Sequence, residues 1–165
     1  MSAAALTKKL LSIDFLANEA NLANCLKTIL QEFIDTRNPI FPRQDVLVYL
    51  LKVMVTSTNI SLIKFVLAIL TEFCSKSSAY DANFVKRHLI NLKIVKILYC
   101  AISGSNLYND KGLSESYLLL LSCLSDVLLP TELQITLTDL VPMCMSFCNI
   151  KNGACFHMMP VLCHR

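Results

Sequence analysis

Charge is scarce in this chain of 165 residues: Asp, Glu, Lys and Arg make up 16% of it, against 55% hydrophobic residues. Ordinary soluble domains carry about 25% charged residues, so the chain has more apolar surface than a domain of its size normally covers. Long apolar runs are nevertheless missing. No charge-free stretch exceeds the 13 residues of 97–109, and that one contains Ser103-Gly-Ser-Asn106. A membrane-crossing helix needs about 20 consecutive apolar residues, and Lys52, Lys64, Glu72 and Asp126 puncture the other strong runs. No membrane span is expected. Lys8-Lys9 before Leu10-Leu11 is faintly similar to a signal peptide, but Asp14 and Glu19 interrupt the apolar region without a small-residue cleavage site.

Glycine is almost absent, with three in the whole chain. A phosphate-cradling loop, a dinucleotide turn and a GxSxG elbow are all excluded by that shortage. Histidine is nearly as rare, and His88 is the one histidine before the C-terminal tail. Carboxylates stand singly along the helices, so catalysis is not expected and no cofactor is implied. The net charge of +3 is spread along the chain, concentrated only at Lys86-Arg87 and Lys93/Lys96. Nucleic-acid binders show a basic stripe instead, and a solvated helix face is preferred here over a patch for an acidic partner.

What the chain does have is repetition. The segment 49–59 (Tyr-Leu-Leu-Lys-Val-Met-Val-Thr-Ser-Thr-Asn) aligns with 96–106 (Lys-Ile-Leu-Tyr-Cys-Ala-Ile-Ser-Gly-Ser-Asn) at an offset of 47 residues. Leu70-Thr-Glu-Phe73 aligns with Leu124-Ser-Asp-Val127 at an offset of 54, the difference being absorbed by the loop 107–112. A period near fifty, built from paired apolar helices, marks an α-solenoid. Strict alternation is absent and the apolar runs are too long for strands.

Helical spacing predicts helices over 4–17, 22–35, 43–55, 60–76, 82–90, 92–102 and 115–129. Asn18 to Asn21, the turn 56–59, Asp81 and Ser114 supply breaks or caps, with Asn91 as a left-handed helix end. The 60–76 helix is apolar over most of its circumference, which suits an innermost position. Pro39 and Pro42 hold 40–41 extended. Pro130 ends one helix and Val141-Pro142 interrupts a further helical segment. From Lys151 the helical period is lost, so one repeat domain is expected over 1–150 and a disordered, non-repeat tail over 151–165. Cys25, Cys74, Cys100 and Cys123, of eight cysteines, lie within apolar helical runs. There they read as small core residues of a reducing compartment, cytoplasm or nucleus.

A short helix, a break at Asn91 and two longer antiparallel helices over 81–129 resemble one armadillo repeat. Asn91 stands where that family commonly has glycine. Residues 43–76 are similar to the last two helices of a preceding unit, where a HEAT-like pairing is also open. The resemblance covers about half of the chain. It implies an all-α, right-handed superhelical scaffold, armadillo-like or HEAT-like, whose last helices line a concave groove for a protein partner.

The polar residues expected to face such a groove are Asn59, Ser61, Lys64, Ser122 and Ser125, with Tyr117 as an aromatic anchor; plain helix solvation is the bland alternative for each. Cys144, Cys148, Cys155, His157, Cys163 and His164 offer zinc-type ligands, but their spacing matches no finger and core packing explains Cys144 and Cys148. The sequence therefore points to a protein-interaction scaffold that takes a peptide or helix of a partner or self-associates through open ends. A truncated isoform or fragment of a longer repeat protein without independent activity is the alternative, and a zinc-stabilised C-terminal segment the third.

Overall fold

A computed structural model describes residues 3–35, 42–75, 81–103 and 111–124. All regular structure among them is helical: α1 (Ala3–Ser12), α2 (Glu19–Asp35), α3 (Gln44–Thr56), α4 (Ile60–Phe73), α5 (Ala82–Asn91), α6 (Ile94–Ser103) and α7 (Lys111–Leu124). The chain divides into two compact units, Met1–Val85 and Lys86–Arg165, with the division inside α5.

In the first unit α1 packs on α2 and α3, and α4 packs on α2 and α3. Two helix hairpins therefore lie against each other, first helix on first and second on second. The turn between α1 and α2 is built by Asp14, whose Oδ1 accepts from the Leu16 amide at 3.1 Å while its carbonyl accepts from the Asn18 amide at 2.9 Å. An Asx turn of this kind competes with the helix, so α1 stops at Ser12 rather than continuing to Ala17. Tyr49 fastens that turn to α3: its hydroxyl donates to the Ile13 carbonyl at 2.8 Å and Phe15 meets its ring edge-on, centroids 5.7 Å apart.

Arg43 is the extended residue before α3, and Asp45 Oδ1 accepts from the Val46 amide at 2.9 Å. The 57–59 turn then delivers Asn59, whose Oδ1 accepts from the Leu62 amide at 3.3 Å and caps α4. Seven side chains of α4 are buried: Leu62, Ile63, Val66, Leu67, Ile69, Leu70 and Phe73. Phe73 meets Phe33 of α2 edge-to-face at 5.6 Å. The expected all-round apolar helix is present, though it ends at Phe73, short of Lys76.

The second unit pairs α6 with α7. Asp81 starts α5 as expected, its Oδ1 accepting from the Asn83 amide at 2.9 Å. The helix end differs from expectation. Asn91 remains helical, and the positive φ of 68° falls on Lys93, whose amide donates to the Ile90 carbonyl at 2.9 Å. At the other helix pair, α7 begins at Lys111, so Ser114 lies inside it instead of capping it. Gly112 does not break the helix; Leu113 beside it is fully buried, and tertiary packing overrides a weak local preference.

Burial puts the internal repeat on a firmer register than letter matching. The α4 residues Leu62, Val66, Leu67, Ile69, Leu70 and Phe73 have buried α7 counterparts 51 residues on: Leu113, Tyr117, Leu118, Leu120, Leu121 and Leu124. Likewise Val46, Leu47 and Leu50 of α3 correspond to Ile94, Val95 and Leu98 of α6, 48 residues on. The offset of 54 read from the sequence also sets buried Ile63, Val66, Leu67 and Leu70 on buried Tyr117, Leu120, Leu121 and Leu124, so 51 matches more buried positions among the described residues; 104–106 and 125–127 of the aligned segments lie outside them. A three-residue slip rotates a helix by only about 60°, which is why apolar letters still matched.

The same register runs backwards into the first hairpin. Leu6, Thr7 and Leu10 precede Val46, Leu47 and Leu50 by 40 residues; Leu22, Cys25, Leu26, Ile29 and Phe33 precede Ile63, Val66, Leu67, Leu70 and Cys74 by 41. Thr7, the polar member, is satisfied by the Ala3 carbonyl at 2.8 Å. Three helix pairs of the chain thus share a set of buried positions, which in the second helices are Cys25/Val66/Tyr117, Leu26/Leu67/Leu118 and Ile29/Leu70/Leu121.

An L-residue in the left-handed region costs about 1–2 kcal/mol, part of which glycine recovers. Lys93→Gly is accordingly expected to raise stability by up to about 1 kcal/mol and Lys93→Val to lower it by at least as much, as read from urea unfolding of the two variants.

Candidate functional site

The expected groove residues do not share one environment. Asn59 is exposed but its side chain is occupied in capping α4, and Ser61, just beyond it, is exposed. Lys64 is half-buried on the same helix. These three gather at the N-terminal end of α4. In the second unit Ser122 is half-buried on α7, while Ser125 lies outside the described residues.

Tyr117 is the clear departure. Only 1% of it is exposed, so it is a core residue of α7, not an aromatic anchor at a surface. Its α4 counterpart is Val66, likewise fully buried. The phenol occupies the position that an aliphatic side chain holds in α4, and its hydroxyl finds no hydrogen-bond partner among the described residues. Burial pushes its pKa up to about 12. Tyr49 also rises to about 12, from burial first and then from Cys25 and Asp14 nearby.

Large apolar side chains are exposed at Leu16, Val55, Phe84 and Leu119; helical spacing places Leu16 on the apolar face of the first helix, which ends before it, at Ser12. At the opposite end of α3 from Val55, a shallow depression is lined by Arg43, Gln44, Asp45 and Val48. The ion pair at its rim, Arg43 to Asp45 at 2.7 Å, is well exposed. Such a pair is worth at most about 1 kcal/mol. The cations of α5, α6 and the turn between them divide by exposure: Arg87, Lys93 and Lys96 are exposed and Lys86 is half-buried.

Cys25 and Cys74 are buried and Cys123 is half-buried, all as thiols rather than disulfides. Burial pushes the Cys25 thiol up, with Lys9 pulling partly against it. A nucleophilic cysteine needs the opposite shift. Among the described residues no three His, Cys, Asp or Glu side chains are placed to hold a metal ion. Cys144, Cys148, Cys155, His157, Cys163 and His164 lie outside them. No described helix is long and apolar enough to cross a membrane.

Two measurements follow from the tyrosines. An orphaned buried hydroxyl costs about 1–3 kcal/mol, so Tyr117→Phe is expected to leave stability unchanged or raise it, as read by thermal unfolding followed by circular dichroism. A loss above about 1 kcal/mol would mean that the hydroxyl has a partner. Both phenols favour the neutral form in the folded chain. Their ionisation therefore leaves stability unchanged below about pH 10 and lowers it as pH rises toward 12; alkaline unfolding should fall in that window, with phenolate absorbance rising alongside it.

Comparison with protein-family models, curated proteins and solved structures returns no match for this chain.

Proposed function

We propose that the chain is a non-enzymatic helical-repeat scaffold of armadillo or HEAT type, which presents the polar edge of its second helices to a peptide or helix of a protein partner. The observation that carries this reading is the common burial pattern of the pairs α1–α2, α3–α4 and α6–α7. In each pair one register of apolar positions recurs, as stacked hairpins require, because a single hairpin cannot bury its apolar face alone. Packing of first helix on first and second on second within Met1–Val85 is compatible with a right-handed solenoid. Residues Asn59, Ser61 and Lys64 on α4 and Ser122 on α7 remain the candidate contact residues; Tyr117 supports the core instead. Buried cysteines at Cys25 and Cys74, not joined in disulfides, suit a reducing compartment such as cytoplasm or nucleus.

Selection of displayed peptides against the purified chain tests the reading. Enriched ligands should lose at least tenfold in affinity, about 1.4 kcal/mol, on Ser61→Arg combined with Lys64→Glu, with helicity unchanged. Ligands indifferent to every substitution on the α4 and α7 surfaces would reject it.

A further inference from the structure

Comparison of equivalent positions in the first two hairpins shows where they differ. Buried Leu62 and Ile69 and half-buried Phe65 of α4 correspond, 41 residues earlier, to exposed Asn21, Thr28 and Asn24 of α2. The apolar core positions of α2 are kept, as Leu22, Cys25, Leu26 and Ile29 are all buried. One face alone has changed character. It comprises Ala20, Asn21, Asn24, Lys27, Thr28 and Gln31, all exposed and gathered along one side of the helix by spacings of three and four residues. The Thr28 hydroxyl is turned back onto its own helix, donating to the Asn24 carbonyl at 2.9 Å. The companion helix follows suit: α1 buries Leu6, Thr7 and Leu10 and exposes Ala4, Ala5, Lys8, Lys9 and Ser12.

We propose that the α1–α2 hairpin is a polar cap, an end piece whose exposed face prevents another hairpin, or a second copy of this chain, from stacking on it. The inference rests on the stacked-hairpin reading above. A repeated helix pair exposes its apolar stacking face unless a terminal pair carries a polar one. Here α2 meets that need at the three positions where α4 is apolar. Lysines on both exposed faces (Lys8, Lys9 and Lys27) add like-charge repulsion against a second cap of the same kind. The face is thus closed to self-association.

Two variants of the full chain separate this inference from the reading beneath it. Asn21→Leu, Asn24→Phe and Thr28→Ile together copy the α4 surface onto α2. Sedimentation velocity should then show a concentration-dependent rise toward twice the wild-type mass, with helicity retained. Leu62→Asn with Ile69→Thr makes the reverse transfer and should abolish cooperative unfolding, since those positions are buried. If the first variant keeps the wild-type mass profile, or loses its helicity, the cap is rejected. If the second unfolds as cooperatively as wild type, the stacked-hairpin reading fails with it.

Discussion

A helix that is apolar almost all round is the constraint on which the first unit depends. Seven of the fourteen residues of α4 are buried side chains of the Leu, Ile, Val and Phe type, and water can be kept from all of them only by neighbours on more than one side. Helices α2 and α3 are those neighbours. Fully burying one such side chain contributes about 1.5–3 kcal/mol. The Asn59 cap adds about 1 kcal/mol, and the exposed Arg43–Asp45 pair less than that. Packing around α4 therefore decides the arrangement, while caps and turns set where each helix begins.

This ordering explains what was legible. Helix identity and the buried faces of α2, α3 and α4 follow from apolar spacing, because burial is the largest contribution and leaves a period of 3.6 residues. The boundaries that depart from the sequence expectation are those fixed by weaker interactions. Asp14 ends α1 early through an Asx turn that letters alone do not distinguish from a helical Asp. The left-handed residue is Lys93, although Asn91 has the better intrinsic tolerance; the Leu92 and Lys93 amides donate to the His88 and Ile90 carbonyls, so geometry of the turn outweighed residue preference.

The candidate site was less legible than the fold, for a related reason. Surface position requires knowing which helical face is covered, and apolar residues occupy most sides of α7. Tyr117 looks like an anchor by residue type and lies at a core position by register. Its α4 counterpart, Val66, held the signal: a Tyr aligned with a buried aliphatic is first of all a core residue. That correspondence holds at either offset, since Tyr117 meets Val66 at 51 and Ile63 at 54, both buried.

Repeat equivalence also locates what distinguishes the helix pairs from one another. Shared positions such as Leu67 and Leu118, or Leu70 and Leu121, serve packing and are interchangeable in kind. Half-buried Lys64 has half-buried Glu115 as its counterpart, and half-buried Phe65 has half-buried Ser116. Charge and polarity thus invert at matched sites whose burial is the same. Burial of a charge at such a position gains nothing for the core, so selection for packing does not account for Lys64 or Glu115. Their side chains are the places where one unit presents a different surface chemistry from the next.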